Sequence, residues 1–254
     1  MKMRQTRATN EAHATKTASR RRVAMLAVTV FVAATVPLAL AAPASRARAG
    51  AIPPASHFSA TVDNVWFPLR PGTRYIYAGG KDGLPSRDVV TVSHRVRTIA
   101  GVPCAVVFDR LYLRGRLRER TTDWYSQDSH GNVWYFGENT AELDTHGKVT
   151  STEGTWTTGV DGAQPGIYMP ADPNLGQSGR QEYYKGHAED HFKVIGLFHT
   201  VTGATGRNAL LTEETTPLEP GTLDHKLYVR GIGTVLEHTE RGGSEHAELV
   251  ALTR

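Results

Sequence analysis

The tightest grouping of metal-capable side chains in the chain is His187-Ala-Glu-Asp-His191. On an extended strand His187, Glu189 and His191 share one face, and imidazole nitrogens with a carboxylate oxygen are zinc-type ligands. Lys185 and Lys193 fall on that same face. Two ammonium groups beside a dication are unfavourable, so the face reads as solvated. His187, Glu189 and His191 therefore stay weak candidates, and the expected metal and cofactor content is none. Asp190 points the other way, with Ala188, Phe192 and Val194. A carboxylate on an apolar face must be paired or must hold its proton. It marks either a site or a structural ion pair. His94, between Val92 and Val96, reads as a hydrogen-bonded core histidine. Cys104, the single cysteine, lies in the apolar run Val102–Phe108 and reads as a small buried hydrophobe.

Aromatic residues are dense in Trp124, Tyr125, Trp134, Tyr135, Phe136 and Trp156. Adjacent aromatics on a strand face opposite ways, so one set fills the core and the other is free to line a cavity. Residues 157–179 are rich in Gly and Pro and read as a long loop, with Ile167, Tyr168 and Met169 at its centre. Loops of that length commonly carry binding function. The candidate ligand-binding set is Trp124, Trp134, Phe136, Trp156 and Tyr168, with the loop as a lid over a lipid or other apolar small molecule. No catalytic residues are assigned. The chain has no Gly-x-Ser-x-Gly elbow, no His-Glu-x-x-His, no phosphate-binding Gly-Lys-Ser loop and no dinucleotide fingerprint. Asp128-Ser-His-Gly-Asn132 lacks the spaced carboxylates of a calcium loop and reads as a hairpin turn.

The elements that must position these residues are strands. In Asp88–Thr98, Val90, Val92 and Val96 share one face and Thr91, Ser93, Arg95 and Arg97 the other, the period-two pattern of a half-buried strand. Val102–Leu113 is apolar on both faces. Arg114-Gly115 turns the chain, which breaks a basic stripe of Arg114, Arg116, Arg118 and Arg120. Asp128-x-x-Gly131 and Asp144-x-x-Gly147 are matching turn signals. No long amphipathic helix is evident after residue 50; the best helical candidate is a short piece near 207–214. The fold class is all-β, or mainly β with one or two short helices. A single large curved antiparallel sheet or a half-open barrel deals with the sheet edges.

Residues 1–49 have a different character. A basic segment to Arg22, an apolar run from Val23 to Ala42 and Ala47-Arg-Ala49 form the pattern of a secretory signal peptide. Cleavage is expected after Ala49, with Ala44 as the alternative. Ser19-Arg20-Arg21-Arg22 fits twin-arginine export, the general secretory route being the rival. A flexible lead-in over 50–57 and one β-rich domain over 58–254 follow. The chain's net charge is +4, and nine Lys/Arg against one Glu fall in residues 1–49, so the remainder carries −4. That balance gives no footprint of a nucleic-acid partner. The expected location is secreted, with the membrane met only during export.

Val65-Trp-Phe-Pro-Leu-Arg-Pro-Gly-Thr-Arg-Tyr-Ile-Tyr77, Asp123–Asp128, Gly131–Glu138 and His225–Glu237 resemble an uncharacterised family of secreted actinobacterial-type proteins. The resemblance spans most of 58–250. It implies a large antiparallel sheet like the half-open barrels of lipoprotein carriers, and no activity. The functional expectation is a secreted protein that binds or carries an apolar or amphipathic ligand. The alternatives are an envelope structural or interaction protein and a secreted hydrolase.

Overall fold

The computed structural model describes residues 52–198 and 208–254. The expected signal peptide, its cleavage sites and its arginines lie outside the described residues. Of the lead-in, Ala55–His57 form a single 3-10 turn, followed by the short strand β1 (Phe58–Ser59). Five long strands come next: β2 (Arg74–Lys81), β3 (Leu84–Ile99), β4 (Val102–Leu113), β5 (Arg116–Asp128) and β6 (Val133–Leu143). Shorter pieces follow: β7 (Val149–Ser151), β8 (Trp156–Thr157), β9 (Gln164–Met169), β10 (Ser178–Arg180) and β11 (Glu182–Tyr183). The last group is β12 (His191–Phe198), β13 (Ala209–Thr215), β14 (Leu223–Val229), β15 (Gly233–Arg241) and β16 (His246–Thr253).

All pairings are antiparallel, and the path runs β10-β12-β13-β14-β15-β16-β2-β3-β4-β5-β6-β9-β11. Its two ends are neighbours in sequence. β10 pairs with β12 and β11 pairs with β9, with only Gln181 between them. The sheet is thus a nearly closed barrel with one seam, as the all-β expectation requires. Closure removes the open edges that a sheet this large would otherwise expose. The turns follow the sequence signals. Arg114-Gly115 has positive φ at both residues (49° and 74°), the type I′ geometry whose twist matches a hairpin. Asp128 Oδ1 accepts from the His130 and Asn132 amides, and Asp144 Oδ1 accepts from those of His146 and Lys148.

Residues 62–69 close one end of the barrel. Their ends meet through the Leu69 amide and the Val62 carbonyl, 3.0 Å apart. Asn64 Nδ2 donates to the carbonyls of Gly131 and Pro170, and the Gly231 amide donates to the Val65 carbonyl. Val62, Trp66 and Leu69 join the inner apolar cluster with Val107, Met169, Phe192, Val194 and Leu210. A second cluster lies on the opposite side of the β4–β6 wall, where Phe58 packs with Ile99, Cys104, Val106 and Trp124. Cys104 is fully buried there, and burial pushes its thiol up to about 12.

Three local expectations are revised. Residues 209–215 form strand β13, because a wall position between β12 and β14 rewards alternate burial, here of Leu210, Thr212 and Glu214. The 157–179 segment contains strand β9, so Ile167, Tyr168 and Met169 belong to the wall and not to a lid. Its glycine content misled because Gly166 approaches the seam: a Cβ there would lie 2.4 Å from the Arg180 carbonyl oxygen. His94 is exposed, since a register shift between Val92 and Val96 interrupts the alternation and leaves Val96 60% exposed.

Candidate functional site

The inside of the barrel changes character along its axis. Near residues 62–69 it is aromatic. Tyr125 stacks on Tyr135 at 4.7 Å, and Phe67 and Tyr125 both pack against Tyr168. Further in, period-two alternation places carboxylates on the same inward faces: Asp123 two residues before Tyr125 on β5, and Asp109 two after Val107 on β4. On β6 a β-bulge is needed. Trp124 pairs with Gly137 but Tyr125 with Tyr135, so Phe136 is the extra residue. Gly137, at φ 134°, takes the conformation that the bulge demands. The bulge lets both Tyr135 and Glu138 reach the interior, which strict alternation forbids.

These carboxyl groups are crowded and poorly hydrated. Tyr135 donates a 2.7 Å hydrogen bond to Asp123 Oδ1, yet burial still pushes Asp123 up to about 7. Burial, reinforced by the neighbouring Asp88, raises Asp109 well above the usual carboxylate range. Asp88 Oδ1 is itself buried with no hydrogen-bond partner among the described residues. Across the lumen, burial and then Asp190 lift Glu182 to about 8, although Trp156 Nε1 donates to it at 2.8 Å. Burial also raises Glu138.

One ammonium group stands among them. Lys226 Nζ on β14 lies 3.0 Å from Glu214 Oε2 on β13 and 3.5 Å from Glu237 Oε1 on β15. Burial works against the ammonium form, but those two carboxylates outweigh it and hold Lys226 well above the ordinary lysine value. Glu214 also accepts from Thr212 and from the Tyr228 hydroxyl.

Lys226 borders three adjoining cavities. The first, about 170 Å³, runs from Phe67 and Tyr168 to Asp88, Asp109 and Asp123. The second, about 330 Å³, is bounded by Glu182, Asp190 and the Thr216–Thr222 connection. The third, about 180 Å³, lies between Tyr125, Tyr135, Gln181 and Glu182.

Of the five residues proposed from sequence, Tyr168 lines the first and third cavities. Trp156 sits in the inner cluster beside them, tied to Glu182. Trp124, Trp134 and Phe136 are on the other side of the wall. Phe58 meets Trp134 and Phe136 edge-on, and the Arg97 guanidinium lies 4.0 Å over Trp124. Lys185–His187 form a turn, Glu189 and Asp190 lie in no strand, and His191 is the first residue of β12. His187 Nδ1 meets Glu153 Oε1 at 3.0 Å, Glu189 accepts from the Gly186 amide, and His191 contacts the Glu189 carbonyl. Among the described residues no three His, Cys, Asp or Glu side chains are grouped to hold a metal ion. Asp190, expected on an apolar strand face, lies just before β12 and is exposed, although it borders the second and third cavities. Lys226, Glu214 and Glu237 escaped sequence reasoning. The available signal was a charged residue two positions from a buried ring, as in Asp123-x-Tyr125 and Lys226-x-Tyr228.

No protein-family model matches the chain, and no curated protein sequence does. Two solved structures resemble it. One is a Bacteroides fragilis protein assigned as exported, with a YmcC-like fold. It is 15% identical, with a TM-score of 0.40, covering 74% of this chain and 99% of its own. The other is a Parabacteroides distasonis protein assigned as a lipoprotein. It is 11% identical, with a TM-score of 0.38, covering 75% of this chain and 99% of its own. Among the described residues no helix is long and apolar enough to cross a membrane.

Proposed function

We propose that the protein is exported and that its barrel lumen binds a small amphipathic molecule. The observation that carries the binding is the first cavity, which has aromatic rings at one end and charged groups at the other. A cavity of about 150 Å³ accommodates a benzene-sized molecule. The space beside Tyr168 therefore suits one ring or a short chain, and the adjoining cavities admit a polar tail. Convergent polar groups that fix orientation beside apolar rings are features of a small-molecule site, and here the charged share of the lining is large. The leader composition supports export. Retention of an Arg20→Lys, Arg21→Lys precursor would support the twin-arginine route, and unchanged secretion would count against it. Binding is tested by calorimetric titration with small aromatic and aliphatic amphiphiles. Saturable binding that weakens in a folded Tyr168→Ala variant supports the lumen as the site. Absence of saturable binding across the series would refute it.

A further inference from the structure

We infer that the molecule bound in the lumen is an organic cation, an amine that also carries a hydrogen-bond acceptor. This rests on the small-molecule reading above and names the chemistry of its ligand. Among the described residues ten carboxyl groups border the three cavities, eight of them half-buried or buried and two, Asp190 and Glu219, exposed, against one lysine and one exposed histidine. Lys226 is already engaged by Glu214 and Glu237. An anionic ligand would bring further like charge into a lumen that is already short of cations. A neutral ligand would leave the excess carboxylates to be neutralised by protons. An ammonium group supplies the missing charge and forms charge-assisted hydrogen bonds, the stronger kind.

A second observation points to the acceptor. Gln181, at the seam residue between β10 and β11, is 3% exposed and borders the third cavity. Its Nε2 is buried and has no hydrogen-bond partner among the described residues. A buried donor is ordinarily satisfied. A hydroxyl or carbonyl oxygen on the ligand would satisfy it, within a lumen whose carboxylates take the amine. A bare metal ion fits less well, because the carboxylates are spread along three cavities and do not converge.

The protons held by the lumen carboxyl groups add a thermodynamic signature. Asp123, at about 7, and Glu182, at about 8, are partly protonated near neutral pH. An arriving cation favours their charged forms and expels protons. Binding should tighten as pH rises from about 5 to 8, the window between ordinary carboxyl values and these raised ones.

The experiment uses three molecules of one shape and different charge: tyramine, tyrosol and 4-hydroxyphenylacetate. Calorimetry in two buffers of different ionisation enthalpy reads affinity and proton release together. Tyramine should bind about tenfold to a hundredfold tighter than tyrosol, the range expected for hydrogen bonds to charged groups. It should release protons, and 4-hydroxyphenylacetate should not bind. In Gln181→Leu, the advantage of tyramine over phenethylamine, which lacks the hydroxyl, should disappear while thermal unfolding confirms the fold. Equal binding of all three probes would overturn the cation and leave the small-molecule reading standing. Binding of none would overturn both. Displacement of tyramine by calcium without proton release would assign the lumen to a metal and also overturn the inference.

Discussion

Replacing Lys226 by methionine removes the one lysine that borders the lumen among the described residues while keeping most of its volume. The ammonium is 3.0 Å from Glu214 and 3.5 Å from Glu237. Breaking a buried ion pair from one side costs about 3–5 kcal/mol, because the remaining charge is stranded. The structure places this site at the lower end. The Glu237 side chain is 38% exposed and so only partly desolvated, which weakens its pairing, whereas that of Glu214 is 10% exposed but keeps its bonds from Thr212 and Tyr228. A loss of about 3 kcal/mol in a domain of this size lowers Tm by about 6–12 °C. The loss should also depend on pH. Burial already holds Glu237 above its ordinary value while Lys226 pulls it down, so without Lys226 it rises further. A carboxyl group raised on folding destabilises as pH climbs above its unfolded value. The Tm deficit of Lys226→Met should therefore be largest near pH 8 and shrink toward pH 4–5, as read by calorimetric unfolding across pH. A deficit under about 2 °C, or one that does not change with pH, would show that the pair is effectively solvated and would refute the reasoning.

Stability of the unmutated protein should fall as pH rises from about 5 to 8, because Asp123 and Glu182 are raised on folding from the unfolded carboxyl range near 4. Glu182→Gln should flatten that slope and raise Tm at the alkaline end; a denaturation series that falls with acid instead would contradict it. Gly137→Ala should cost about 3 kcal/mol or more in denaturant unfolding, since its φ of 134° disfavours a side chain and a Cβ would lie 2.4 Å from the Trp156 carbonyl oxygen. Cys104, fully buried with its thiol pushed up to about 12, should resist a thiol reagent in the native protein and react once denatured. Rapid native labelling would place it at the surface.

Much of the wall was legible in the chain because strand signals are local. Alternation at Val90 and Val92 in β3, the apolar run of β4, and the turn at Arg114-Gly115 each depend on neighbouring residues alone. The same is true of the paired Asp-x-x-Gly turns, whose carboxylates accept from backbone amides two and four residues on. Asp190 was misplaced on the apolar face of Phe192 and Val194, because β12 starts only at His191 and leaves Asp190 exposed. The alternation that marks a strand does not say which of its faces becomes the inside of a barrel. On β5, Trp124 and Tyr125 are equally aromatic, and only closure through the 178–183 seam decided that Tyr125 faces the lumen while Trp124 packs beneath Phe58. The bulge at Gly137, which brings Glu138 inside, depends on the close passage of β8 and is invisible to a period-two count. Lys226, Glu214 and Glu237 come from three strands, and their ion pairs exist only because register sets those strands side by side. Composition fixed a mildly acidic domain; long-range pairing alone gathered that acidity into one poorly hydrated lumen, where desolvation turns ordinary carboxylates into proton-holding groups.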